Sequence, residues 1–443
     1  MSNNTNDVKT TPVHVTEVKV NGAEMFEPSF INKIVSPLLS SEIQTLGEVE
    51  EEGNKVLSQL SYLNAVASPS LVFSLANGES KTDATGEPVT NIAGEIKAVF
   101  NTGSNVAITS VHNEIGNALA LQYINRNVFK KGELLQFNAA LNLYNDSKSI
   151  DLLYSKPLRN TEFKTYGRMN LLSTHEQSFK SNSQDSTSAE FGFIKQYYCR
   201  CPGTFSTLTS GLSLARRNIN EIADSADDEI KTYAGTNIKR SVFVNFVTSN
   251  MKYLSKSKFT LPLHGLSASV NNEASGFFDT SEQDKFVKST AGLTYAKSLF
   301  SNAITLSSDL KIGTILNFAE TVNFQDKFYP FVPGYSVPIA PDASIGAGSF
   351  VSYNFGIHTK CGLIKTEEPI RFYASVQGVS CADQIDGLKI HQLSSLNQFK
   401  SGVDIGLVYT TGDANAKLSY TKAIGDKSDI GKIRFEVELT GEW

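Results

Sequence analysis

Four cysteines in 443 residues are too few for a disulfide framework. Cys199 and Cys201 form a C-x-C pair that would share one face of a strand. No second pair with C-x-x-C spacing accompanies it, so incidental cysteines are expected rather than a zinc half-site. Charge is scarce as well, at 19% of residues, with 40 Lys and Arg against 45 Asp and Glu. The net charge of -5 excludes a generally basic nucleic-acid binder. No run of roughly 18 apolar residues occurs, which excludes a transmembrane helix but not a barrel, whose alternating strands barely register in hydropathy. The six histidines, His14, His112, His175, His264, His358 and His391, are scattered without metal-ligand spacing. Of these, His358, with Lys360, could line a barrel lumen, where a lone histidine is usually structural or solvated. Gly346-Ala347-Gly348 is too short for a dinucleotide loop, and neither a phosphate-binding loop nor a G-x-S-x-G elbow is present. The expectation is a non-enzyme with no cofactor, no metal and no nucleic-acid partner. The opening MSNNTNDVKTTP has no basic segment followed by an apolar one, nor an Arg-rich amphipathic look. If Met1 opens the full product, any membrane destination is reached from the cytosol.

What is present divides near residue 100. Residues 1–12 are expected to be disordered. Residues 13–100 read as a compact α/β unit. Val13, Val15, Val18 and Val20 alternate like a half-buried strand, and Asn21-Gly22 marks a turn. Pro28 opens a helical stretch with proline in its first turn. Leu46, Val49, Val56, Leu57, Leu60 and Leu63 give a longer helix its apolar stripe. SPSLVFSLANG and NIAGEIKAVF supply two further strands, so two helices should cover one face of one sheet. The unit carries 12 Asp and Glu against 5 Lys and Arg, while the rest of the chain is about +2. The run Glu48, Glu50, Glu51, Glu52 is read as a solvated helix face, and the contrast suggests two environments.

From residue 101 the texture becomes repeated short alternating segments. Leu135, Phe137, Ala139, Leu141 and Leu143 share one face, with Gln136, Asn138 and Asn142 on the other. Val351, Tyr353, Phe355 and Ile357 oppose Ser352, Asn354 and His358, and Phe372, Ala374 and Val376 oppose Ser375 and Gln377. Near the end, Ile433, Phe435, Val437 and Leu439 alternate with Lys432, Arg434, Glu436 and Glu438. Lipid offers the backbone no hydrogen-bond partner, so a sheet can cross it only when closed. Residues 101–443 allow about sixteen strands of roughly ten residues each plus turns. A water-soluble sandwich alternates too, and composition alone does not decide between them.

Read in order, these segments resemble the central barrel subunit (Sam/Tob type) of the mitochondrial sorting and assembly machinery. HNEIGNALALQYINRNVFKKGELLQFNAALNL looks like that family's opening barrel strands, with Gly116, Asn127 and Glu133 at its turn positions. Asp326-Lys327-Phe328, taken as a strand end before a large inward loop, and Phe350-Val351-Ser352-Tyr353 after it match a later block. GVDIGLVYTTGDANAKLSYTKAI resembles the penultimate hairpin, with Gly402, Gly406, Val408 and Tyr409 matching. Residues 13–100 are similar to the family's single polypeptide-transport-associated (POTRA) domain. The likeness covers nearly the whole chain, and its specificity lies in the order and spacing of individually weak motifs.

The resemblance implies a mainly β protein: a 16-stranded transmembrane β-barrel of the BamA-like, bacterial surface antigen type, preceded by one small α/β POTRA domain. It implies residence in the outer membrane of a mitochondrion or a derived organelle, with the POTRA domain in the intermembrane space. The implied task is inserting β-barrel precursors, with those precursors, other subunits of the complex and membrane lipids as partners. An exposed strand edge templates another strand. The implied site is a weakly closed seam between a first strand near Ser104–His112 and a last strand near Gly431–Thr440. The precursor would pair along Asn105, Val106, Ala107, Ile108, Thr109, Ser110, Val111 and His112. Ile433, Arg434, Phe435, Glu436 and Val437 form the other lip.

Two departures stand out. The family's inward loop carries Arg-Gly-Phe, with the arginine on the barrel wall, but here Pro333, Gly334 and Tyr335 occupy those places. Pro330, Pro333, Pro338 and Pro341 should stiffen the loop. The last strand has Arg434 where the family's sorting signal has glycine. Either the loop works without its cationic anchor in a fast-evolving lineage, which accounts for both departures, or this is a paralogue with weakened activity. A passive outer-membrane channel and a barrel scaffold without insertase activity are the alternatives. Mitochondrial porins lack an N-terminal α/β domain, which argues against the channel.

Overall fold

The computed structural model describes residues 9–442 apart from 40–42, 77–88, 101–102, 114–115, 143–145, 159–160, 175–181, 199–203, 254–260, 278–284, 320–321, 336–337, 362–369, 383–398, 411–413 and 426–430. The C-x-C pair, His175, His391, most of the N-terminal segment expected to be disordered, and the side chains of Val111 and His112 lie outside the described residues.

The chain forms two compact units. The first holds Met1–Asn105 together with Ile124–Gln136 and Leu153–Tyr166. Its sheet contains β1 (Pro12–Val20), β2 (Gln44–Thr45), β3 (Val66–Leu75) and β4 (Thr90–Phe100) in the order β2-β1-β4-β3. The two central strands β1 and β4 run parallel. That geometry requires a crossover, and the helices α1 (Pro28–Val35) and α2 (Leu46–Ser61) supply it. Helix α1 buries Ile31, Ile34 and Val35, and α2 buries Val49, Val56 and Leu60; both rest on Val13, Val15, Ile92 and Ile96 of the sheet. Helix α2 starts where Thr45 and Glu48 form a reciprocal cap. The Glu48 carboxylate accepts from the Thr45 backbone N–H at 2.8 Å, and the Thr45 hydroxyl accepts from the Glu48 N–H at 3.3 Å. The remaining glutamates of the acidic run are solvated, with Glu50 paired to Lys9 and Glu51 and Glu52 to Lys55.

Within the same unit, the turn at Asn127–Glu133 is built by its own side chains. Asn127 Oδ1 accepts from the Gly132 N–H at 2.9 Å, and buried Glu133 accepts from the Lys131 N–H at 3.0 Å. The Asn127 amide donates to the Met25 carbonyl at 2.7 Å, and Lys131 pairs with Glu27 at 2.8 Å. The Thr161 hydroxyl donates to the Gln59 carbonyl at 2.8 Å.

The barrel begins with β5 (Ser104–Asn113), β6 (Gly116–Asn125), β7 (Leu134–Asn142), β8 (Ser147–Pro157), β9 (Phe163–Thr174), β10 (Ser183–Tyr198) and β11 (Phe205–Asn220). After the short helix α3 (Asp228–Thr232) come β12 (Gly235–Ser249), the two-residue β13 (Lys252–Tyr253), β14 (Pro262–Ser275), β15 (Phe286–Leu299) and β16 (Ile304–Asn317). The last five are β17 (Ser349–Lys360), β18 (Ile370–Ala382), β19 (Lys400–Thr410), β20 (Ala414–Ile424) and β21 (Lys432–Glu442). Neighbours pair in sequence order, β12 pairs directly with β14, and β21 meets β5, so sixteen long strands close an antiparallel barrel. Closure removes both sheet edges, which is what lets a sheet stand in lipid. Alternation puts large apolar residues such as Leu214, Leu293, Phe355, Ile357 and Phe372 on the outside. No helix among the described residues is long and apolar enough to cross a membrane.

One expectation is corrected. Asp326-Lys327-Phe328 is not a strand end: β16 stops at Asn317, and Phe324–Asp326 forms a 3-10 turn beyond it. The Asn323 side chain accepts from the Gln325 N–H at 3.0 Å and so caps a helical turn, while Phe324 is fully buried.

The candidate site: seam, inward loop and the cavity between them

The seam is the ladder of β21 on β5. Its described register runs from Val437 opposite His112 to Glu442 opposite Ala107, six residue pairs. Ile108 projects outward, and its register places Ser110 on the same face as Leu439. Ala107 is buried, with Asn105 and Thr109 on its side of the strand and Val106 on the other. On β21, Ile433 and Phe435 are exposed outward, while Arg434 and Glu436 point to the interior.

Between β16 and β17 the chain turns inward. Its neck closes where Phe328 and Ala347 exchange backbone hydrogen bonds of 2.8 and 2.9 Å. The Tyr329 hydroxyl lies 3.0 Å from the Phe324 carbonyl and 2.8 Å from that of Ile345. The tip rests on the inner wall at β18 to β20. Val332 and Ile339 pack on Val379 of β18, and Gln377 donates to the Phe331 carbonyl at 2.9 Å.

Two glycines permit that approach. Gly402 of β19 lies under the Pro333 carbonyl, and a β-carbon there would overlap it. Gly334, at φ +92, sits against the backbone of Lys422 and Ala423, where any side chain would collide as well as strain. Pro333 therefore does have a wall contact, but a steric one through its carbonyl rather than an ionic one.

Between tip and wall lies a cavity of about 650 Å³. Phe331, Val332, Pro333 and Tyr335 line one side, and Asp404, Lys417, Lys432, Arg434 and Glu436 the other. Lys417 pairs with Asp404 at 2.9 Å, and the Tyr373 hydroxyl donates to the same carboxylate at 3.0 Å. The structure thus brings the loop residues Pro333 and Tyr335 together with Arg434 and Glu436 of the last strand. The first strand joins this group through its ladder with β21.

The root of the loop holds what the sequence reading missed. Arg217 of β11 donates to both oxygens of Asp326, at 2.7 and 2.8 Å, and Lys239 of β12 donates to Oδ1 at 2.6 Å. Lys288 of β15 donates to the Asp326 carbonyl at 2.6 Å, and Lys239 also pairs with Glu273 of β14 at 2.7 Å. Cations at inward-facing positions of strands were the available signal. His358 is also settled: it is buried, accepts from Arg371 at 3.2 Å, and so carries its proton on Nε2 toward the Pro262 carbonyl, 2.8 Å away. Lys360 lies near the Ser301 carbonyl at 3.5 Å. Among the described residues no cluster of His, Cys, Asp or Glu is placed to hold a metal.

Solved structures share this architecture. BamA from Haemophilus ducreyi lacking POTRA domains 1-3 superposes with a TM-score of 0.68 at 12% identity, over 97% of this chain and 85% of that one. CdiB from Acinetobacter baumannii gives a TM-score of 0.61 at 12% identity, over 98% and 74%. In sequence, a SAM50-like protein of Schizosaccharomyces pombe is 23% identical over 444 residues, 96% of this chain and 89% of its own length. The model of the Omp85 superfamily domain matches residues 127–443, from the turn between β6 and β7 to the last strand. With a closed barrel, an inward loop and that match over well more than half its length, the chain belongs to the Omp85 superfamily.

Proposed function

We propose that this protein inserts and assembles β-barrel precursors in the mitochondrial outer membrane, or in that of a mitochondrion-derived organelle. The observation that carries the proposal is the closure of an Omp85 barrel by pairing of its first and last strands, β5 and β21, beside an inward loop whose cavity reaches the last strand. In this reading the seam is a lateral gate. A precursor's terminal strand pairs along Asn105–His112, and Ile433–Val437 forms the other lip. Each newly paired strand gains hydrogen bonds that lipid cannot provide, so the process needs no nucleotide. The N-terminal α/β unit is read as a single POTRA domain in the intermembrane space, with other subunits of the sorting and assembly complex as partners. The SAM50-like relative supports the mitochondrial assignment. The loop tip packed on β18 and β19 occupies interior space that a passive channel would leave to water.

The test is import into isolated organelles depleted of the protein, with a labelled porin precursor and a matrix-targeted precursor side by side. Porin assembly should stall after the membrane is crossed while matrix import continues. Normal porin assembly with only metabolite permeability reduced would overturn the reading in favour of a channel.

A further inference from the structure

We propose that Asp326 is the ionic anchor of the inward loop, with the polarity of the arginine contact reversed: the loop carries the acid and the wall carries the cations. The inference rests on the insertase reading for its consequence, though not for its geometry. Asp326 is 3% exposed, and a carboxylate so buried stays charged only when it is paired and hydrogen-bonded. Arg217 meets it as a two-pronged fork, the strongest and most directional pairing that carboxylates make. Lys239 reaches one oxygen and Lys288 the backbone carbonyl, so one loop residue ties β11, β12 and β15. Glu273 on β14 draws Lys239 from the other side. Removing the Asp326 charge leaves three cations facing one acid.

The root is stiffly joined to the tip. Phe324 is locked among Ile219, Ala226 and Ile230, and the Phe328–Ala347 pair closes the neck immediately after Asp326. A root free to shift would carry the Pro333 carbonyl away from Gly402 and open the cavity wall that faces β21. Asp326 is thus a positioning residue: it touches no precursor, and it fixes the tip beside the last strand.

The test uses the full chain in its membrane, with a photoactivatable phenylalanine analogue at position 331, next to Gln377 of β18. Asp326→Asn keeps the size and removes the charge. The yield of crosslinks to β18 should fall about tenfold, with precursor assembly falling alongside, and Asp326→Glu should recover most of both. Combining Asp326→Asn with Arg217→Gln should lose no more than Asp326→Asn alone, because both remove one interaction. Unchanged crosslinking in a folded Asp326→Asn barrel overturns the proposal. Should that variant fail to fold, Arg217→Lys keeps the charge and removes the fork. Its crosslink yield should then fall about threefold, and a wild-type yield would overturn the proposal equally. The crosslink is read without precursor. Its loss in a chain whose wild-type form assembles nothing therefore supports the anchor and removes the insertase reading instead.

Discussion

The absence of one β-carbon at Gly402 decides where the loop tip can rest. Gly402→Val would push against the Pro333 carbonyl, which has no room to retreat between β19 and the Gly334 contact with β20. Assembly of a porin precursor should slow by about tenfold while the barrel still resists extraction, and Gly167→Ala, with open space around it, should be silent. A second residue-scale expectation concerns the cap of α2. Thr45→Ala removes an acceptor for the Glu48 N–H and should cost about 1 kcal/mol of local stability, read as faster hydrogen exchange in the first turn of the helix. The Thr45 backbone N–H, and then its hydroxyl, hold the Glu48 carboxyl below its ordinary value of 4.5. Because the folded value is the lower one, the unfolded chain takes up the proton first as pH falls. The carboxylate's contribution is therefore whole above about pH 4.5 and disappears as pH drops through the folded value. The protection lost in Thr45→Ala should accordingly shrink in acid.

Among the elements, the inward loop carries the clearest expectation. Its root is held by charge and its tip by shape, so Pro333→Arg should bring no gain in assembly. A several-fold gain would mean that the chain is a weakened paralogue whose loop is under-anchored. The same loop shows where sequence ran out. Strands were legible because a period of two is local: the first barrel strand, expected at Ser104–His112, is Ser104–Asn113, and the last, expected at Gly431–Thr440, is Lys432–Glu442. The amphipathic stripe of α2 was legible for the same reason, with a period near 3.6. The partners of Asp326 lie 109 and 87 residues away, and nothing in a local pattern singles out Arg217 or Lys239 from other lumenal charges. The Asp-Lys-Phe triplet could be noticed but not placed. Its helical turn depends on the Asn323 cap and on burial of Phe324 against Ile230, which only the fold supplies. The seat of the tip was out of reach for a related reason: a missing arginine is visible in a sequence, whereas a backbone carbonyl seated on a distant glycine is not.

For the molecule as a whole, the lateral-gate reading makes the seam a moving part. Leu439 and Ser110 face one another across it, so Ser110→Cys with Leu439→Cys should form a disulfide across the ladder. Oxidised, this barrel should keep its fold and lose precursor assembly; reduced, it should regain assembly. Full activity in the oxidised form would show that insertion proceeds without parting the seam. The inward loop bears on what such parting does to the wall. It is clamped to β11, β12 and β15 at its root and to β18, β19 and β20 at its tip, so it spans the interior as a strut. A plain cylinder slit along one line has nothing left to hold its curvature. Here the slit would leave a second, smaller ring intact, made of the strut and the strands it bridges. Lengthening the free wall by one incoming strand at a time then need not flatten the sheet, because its curvature is kept by a brace that the slit never cuts.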